Sequence, residues 1–246
     1  MSDGSVHYLS EAGVAILTLD RPLKRNAMTA AMCEELRAAL VRLRDGDDRV
    51  GVLRAQGESF CAGADLSAPP EHFWQAVPGV GIDVGKPLIA AVQGHVVGLA
   101  LTIVAFCDLC VAAENTSFLY PEAKVGVSKG LIAALAARVP HKIAMELMLL
   151  GGPLSAARAH EAGFVNRVVP NGEQQRVALE MAGTLARSAP LVLAQLKQLV
   201  DATLPRSPTE VMYRTSALVE RVVRSDDARE GVAAFREKRS PQFRGR

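Results

Sequence analysis

Three short runs rich in apolar residues, VGVLRAQG (50–57), LIAAVQG (88–94) and DLCVAA (108–113), read as strands, and helical patterns stand between them. From Thr29, the expected N-cap, Met32, Leu36, Leu40 and Leu43 recur every three or four positions until Gly46 ends an amphipathic helix. GLALTIVAF (98–106) reads as an apolar helix, and VHYLSEAGVAILTLDRP (6–22) as two strands joined at Glu-Ala-Gly. Strands alternating with crossing helices define an α/β chain.

Beyond position 129 the texture turns Ala- and Leu-rich, with FVNRVV (164–169) as one further strand and almost everything from 172 to 239 helical. Leu191, Leu193, Leu196 and Leu199 form an apolar face that a thin appendage could not bury alone, so docking on the core or on another subunit is expected. No Pro/Gly/Ser-rich linker and no repeat interrupts the chain.

The 246 residues are 49% apolar, which excludes a disordered or fibrous polymer. With 28 Lys plus Arg against 26 Asp plus Glu, a net charge of +2 supports no sequence-wide attraction to nucleic acid or an anionic membrane. Aromatic residues, at 4%, are too few for base-stacking platforms. Cys33, Cys61, Cys107 and Cys110 are too sparse for a disulfide scaffold; a reducing cytoplasm is expected. Cys107 and Cys110 form a CxxC, but with apolar neighbours and no second ligand pair they read as packing, and no metal is expected. The opening MSDGSVHYLSEAG lacks a basic, apolar leader pattern and no long apolar span follows, so a soluble, non-exported protein is expected. A small-molecule enzyme or a binding module remains.

Two loops after strands carry unusually small side chains. In ESFCAGADLS (58–67), Ala62, Gly63 and Ala64 leave backbone N–H groups uncovered; in QGHVVGLAL (93–101), Gly94 and Gly98 bracket a turn that opens a helix. Either alone is equally a tight turn. Facing each other they would form an oxyanion hole, because helix N-termini and bare loops present unpaired N–H groups.

RPLKRNAM (21–28), GESFCAGADLS (57–67), KPLIAAVQGHVVGLAL (86–101), FLYPEAKVG (118–126) and EGVAAFREKRSPQF (230–243), taken in order, resemble the enoyl-CoA hydratase/isomerase, or crotonase, family nearly end to end. The resemblance implies a spiral of repeated ββα units (1–188), a helical C-terminal part (189–246) that makes homotrimers or dimers of trimers, and an acyl-CoA thioester as substrate, with no cofactor beyond that coenzyme A. It implies thioester-oxygen donors at the N–H groups of Ala64 and Leu99. Ala62, Asp65 and Leu66 would meet the adenine half, and Lys24, Arg25, Phe235 and Lys238 would lie near the phosphates. The segment Arg236–Arg246, with five basic residues and one acidic, would be a compact positive patch.

Hydratases of this family use two glutamates twenty positions apart. Here Thr102 occupies the first position and Glu122 the second, within Tyr120-Pro121-Glu122. Hydration divides its proton transfers between two carboxylates, and a threonine hydroxyl is no useful base near neutral pH. Moving a double bond from the 3,4 to the 2,3 position needs one base, so isomerisation is the expected reaction, with hydration or a non-catalytic acyl-CoA binder as alternatives. Glu71, His72 and His95 are expected as pocket-wall or surface groups. Gly126-Val127-Ser128-Lys129-Gly130 matches GxSxG with Glu146, His141 and His160 downstream, but a polar, proline-opened stretch precedes it where a nucleophile elbow needs a strand.

Overall fold

The computed structural model describes residues 4–246. Its elements in chain order are β1 (Ser5–Glu11), β2 (Val14–Asp20), α1 (Ala30–Asp45), β3 (Val50–Ala55), β4 (Leu88–Val92), β5 (His95–Val97), α2 (Leu99–Ala105), β6 (Leu109–Ala113), β7 (Ser117–Leu119) and α3 (Glu122–Val125). There follow α4 (His141–Leu150), β8 (Leu154–Ser155), α5 (Ala156–Glu161), β9 (Arg167–Val169), α6 (Gln174–Ala186), α7 (Pro190–Thr203), α8 (Pro208–Val223) and α9 (Asp226–Glu237).

β1 and β2 pair antiparallel, and β2, β3, β4, β6 and β9 continue the sheet in parallel. A smaller sheet runs β5-β7-β8. Each of β4 and β6 therefore sends its chain from the large sheet to the small one (β5, β7) and then into a helix (α2, α3). Parallel bridges Met28↔Ala64 and Cys61↔Val96 extend the same second layer backwards along the chain. The result is a spiral of ββα turns, as expected.

Strand alternation divides the core. Val14, Ile16, Val50, Val52, Ile89, Ala91 and Val111 face α6, whose Ala178 and Ala182 permit close approach. Leu17, Leu19, Leu53, Leu88, Ala90 and Val92 face the opposite way, into the main core with α1 and α2. Thr29 caps α1, its hydroxyl accepting the Met32 N–H at 3.2 Å. Gly46 ends the helix in an extended rather than a left-handed conformation. The strand expected over 164–169 shortens to β9, because Asn166 turns its side chain to accept the Cys110 N–H at 2.8 Å.

The expected division at 188/189 falls in the turn between α6 and α7. Within α7 no residue is buried, within α8 only Glu210 and within α9 only Ala234. Leu191, Leu196, Leu199, Leu218 and Val222 stand exposed. Among the described residues no single helix is long and apolar enough to cross a membrane.

The C-terminal segment corrects the expected positive patch. Arg239 pairs with both Glu230 and Glu237 at 2.5 Å, Arg246 lies 3.9 Å from Asp226, and the N–H groups of Arg244 and Gly245 donate to Asp227. Acidic residues of α9, most of them outside the counted stretch, pair with Arg239 and Arg246 and so reduce the positive charge of the tail by folding it back. Ser128 follows the short helix α3 and its left-handed cap Gly126, so no strand runs into the GxSxG segment. Cys107 and Cys110 are free thiols, and burial pushes the latter up to about 12.

Candidate active site

Asn26 is the anchor of the site's first loop. Fully buried at a φ of 55°, it donates to the carbonyls of Gln56 and Ser59 and accepts the Arg21 N–H at 2.7 Å. The loop so fixed presents Met28, which donates to Gly63 O at 2.8 Å and accepts from Asp65 N at 2.9 Å. On its other side the 60–65 loop is clamped to β5: Cys61 N donates to His95 O, and Val97 N to Cys61 O.

These bonds decide where the intervening N–H groups point. The two ends of a trans peptide point in opposite directions, and no described peptide is cis. Gly63 O is turned to Met28, so the Ala64 N–H of that same peptide is turned away from it. A β-carbon on Gly63, whose φ is 94°, would lie 3.0 Å from Val97 O and 3.8 Å from Leu99 N, so this loop rests directly against the start of α2. At that start, Gly98 O accepts both Thr102 N (3.0 Å) and Thr102 Oγ1 (3.2 Å). The Leu99 N–H, on the other end of that peptide, is turned out of the helix. Neither Ala64 N–H nor Leu99 N–H has a hydrogen-bond partner among the described residues.

Glu122 completes the constellation. It opens α3 after Pro121, and Oε1 lies 2.5 Å from the position of a β-carbon on Gly98. Its Oε2 is buried without a partner. Burial pushes this carboxyl up to about 7, against a backbone hydrogen bond from its own N–H that favours the charged form. Tyr120 stands beside it, its hydroxyl pushed up to about 12 by burial and then by the Glu122 charge. Thr102 is buried and its hydroxyl is committed to Gly98 O, so it offers no second acid. The arrangement can stabilise an oxyanion at two N–H groups and move a proton at one carboxyl.

Other expected residues divide into those the fold brings here and those it does not. Arg25 O accepts Ala62 N at 2.8 Å, placing the exposed Lys24 and Arg25 beside the loop. Asp65 is spent on the loop itself: Arg21 at 2.7 Å and the Ser67 N–H and hydroxyl hold its carboxyl, lowering it to about 2 through Ser67 first and then Arg21. Its N–H is also taken by Met28. Within this loop Ala62 C=O and Leu66 N–H are left uncommitted. Phe235 is 86% exposed and Lys238 caps α9 at a φ of 54°; no hydrogen bond or ion pair joins either to residues 62–66 among the described residues. His95 bonds Ser59 at 3.3 Å, His72 lies edge-on to Trp74, and Glu71 is exposed. Asn26 was not singled out from sequence, because the carbonyls it bonds, those of Gln56 and Ser59, lie 30 and 33 positions away; the fixing of the 98–99 peptide by Thr102 is a local helical contact that residue identity alone does not single out.

A spiral of ββα turns whose loops converge on two bare N–H groups and one half-buried carboxyl defines a class, and comparison agrees. The family profile "Enoyl-CoA hydratase/isomerase" matches residues 10–246, and the chain belongs to that family. Among curated relatives, carnitinyl-CoA dehydratases of Proteus mirabilis (36% identity over 98% of this chain and 99% of the relative) and Salmonella typhi (37%, with the same coverage) are similar to it. Among solved structures, an enoyl-CoA hydratase/isomerase from Mycobacterium paratuberculosis superposes with TM-score 0.74 at 29% identity, covering 98% of each chain. A probable enoyl-CoA hydratase/isomerase from Mycobacterium abscessus gives 0.75 at 33%, covering 100% of each.

Proposed function

We propose that this chain is an enoyl-CoA isomerase. The thioester oxygen is held by the N–H groups of Ala64 and Leu99, and Glu122 is the sole acid/base. The observation that carries this reading is the juxtaposition at Gly98: an uncommitted N–H pair on one side and, against its α-carbon, a carboxyl near neutrality with a bare oxygen. Glu122 takes a proton from C2 of a 3-enoyl thioester, and the electron pair moves to the thioester oxygen as a dienolate between the two N–H donors. The same carboxyl returns the proton at C4, leaving a 2,3 double bond. A pKa near the working pH suits a group that must both take and give.

Coenzyme A is part of the substrate, and no separate cofactor is invoked. On this reading Ala62 C=O and Leu66 N–H meet the adenine half, Asp65 shapes that loop rather than touching the ligand through its side chain, and Lys24 and Arg25 meet the phosphates. Phe235 and Lys238 would reach such a ligand from α9. The exposed apolar faces of α7 and α8 support assembly as a homotrimer or a dimer of trimers.

A second reading, reversible hydration of a 2-enoyl thioester, is favoured by the dehydratases among the relatives. Incubation with acyl-CoA in D2O tests the first step: deuterium enters the α position in the wild type and not in Glu122→Gln. Binding without exchange across several chain lengths would leave a non-catalytic acyl-CoA binder. A 3-hydroxyacyl product from a 2-enoyl substrate at an appreciable rate would replace isomerisation by hydration.

A further inference from the structure

We infer that Leu99 and Thr102 together form a lock that keeps the 98–99 peptide from turning over, so that the Leu99 N–H stays directed out of α2; the catalytic meaning of this lock rests on the function proposed above. Gly98 has φ 54° and ψ −110°, a conformation open only to glycine. Turning the peptide over by roughly half a turn changes the ψ of Gly98 and the φ of Leu99 together. On the Gly98 side nothing opposes this, because ψ moves toward the left-handed basin that glycine occupies freely. The reversed peptide would direct a carbonyl oxygen where the N–H now points, replacing a donor with an acceptor.

Two features oppose the reversal. Leu99 is the first residue of α2, with a helical φ; the reversal would carry that φ to a positive value that a residue with a β-carbon does not adopt. The second restraint is the Thr102 hydroxyl, 3.2 Å from Gly98 O on the carbonyl side; it reinforces the main-chain N–H of residue 102 at 3.0 Å, a bond that no side-chain variant removes and that the lock takes to be insufficient alone. A threonine hydroxyl bonded to the carbonyl four residues earlier is ordinary within a helix. Here that carbonyl shares its peptide with an uncommitted donor, so the bond fixes the donor's direction. Leu99 therefore contributes a β-carbon that forbids the reversal, and Thr102 is a positioning residue that acts through Gly98.

Because either restraint suffices, the effect is strongly coupled, and a variant cycle tests it. Crystal structures of ligand-free wild type, Leu99→Gly, Thr102→Val and the double variant read the peptide directly. The expected result is the present orientation in the first three and a reversed or mixed peptide in the double variant. In α-proton exchange each single variant lowers kcat about two- to threefold, while the double lowers it at least tenfold beyond their product, with KM changed less than twofold. Leu99→Ala/Thr102→Val retains a β-carbon and tracks Thr102→Val alone, whereas Leu99→Gly/Thr102→Ser recovers the hydroxyl and the orientation. A role in stability alone would lower melting temperatures in all these variants without this coupling. An unreversed peptide in the double variant, or a kcat equal to the product of the singles, overturns the lock. Should the double variant not fold, the lock is retained only if Leu99→Gly lowers kcat more than Leu99→Ala does. If the wild type shows no exchange at all, the functional reading falls and the crystallographic comparison still decides the lock.

Discussion

Glu122 and Gly98 are packed so closely that a β-carbon on Gly98 would sit 2.5 Å from Glu122 Oε1. Glycine is required here twice over, for this approach and for the φ of 54°. Gly98→Ala must push Glu122 aside or distort the start of α2. We expect at least a hundredfold loss of α-proton exchange and a destabilisation of about 1–3 kcal/mol, read by denaturant unfolding. Exchange within threefold of wild type would contradict the arrangement.

The raised Glu122 pKa has a definite sign in stability. In the unfolded chain the carboxyl titrates near 4.5, in the folded chain at about 7, so between those values the folded state binds the extra proton. Burial of the charged form therefore costs nothing below pH 4.5 and most above pH 7. Glu122→Gln should melt at the same temperature as wild type in acid and at a higher temperature at pH 8, measured by calorimetry. Proton abstraction should rise with pH through a limb centred near 7 and be absent in the variant.

Asp65 carries the opposite sign. Its carboxyl is held at about 2 by Ser67 and Arg21, so the stabilisation it gives is present above the ordinary carboxylate range and lost as pH falls toward 2. Asp65→Ala loosens the loop that carries Ala64. The dissociation constant for acyl-CoA should rise about five- to tenfold by titration calorimetry, because the loop must be ordered on binding.

Asn26 joins three backbone groups of two loops within the core. Asn26→Ala strands two carbonyls and one N–H, at a cost of about 2–4 kcal/mol by denaturant unfolding. A loss under 0.5 kcal/mol would show that the loops are held elsewhere.

The faces of α7 and α8 predict self-association. Leu218→Asp, at a position 68% exposed in the single chain, should shift sedimentation from the proposed trimer or hexamer toward monomer while leaving the far-ultraviolet dichroism of the core intact. A monomeric wild type would remove the basis of this assembly.

How much of this was legible beforehand follows from the range of the interactions. Thr29, the leucine ladder of α1 and the short apolar strands are local signals, and the structure returns them within a residue or two. The tail misled because charge was counted along the chain: Arg239 was tallied without Glu230, nine residues earlier, which folding places in contact with it. FVNRVV had strand composition over six residues, yet Asn166 answers Cys110, 56 positions away, and the strand shortens.

The sequence by itself determined the alternation of strands and helices and the two loops of small residues. These are properties of neighbouring residues, set by periodicity, side-chain size and residue identity. Only the tertiary structure decided that the Ala64 N–H was left bare, since that depends on Met28 taking Gly63 O from 35 positions away. It also decided that Glu122 would be desolvated, because burial is a sum over the segments packed around a group. A sequence lists the polar groups a chain carries; folding chooses which of them remain unpaired.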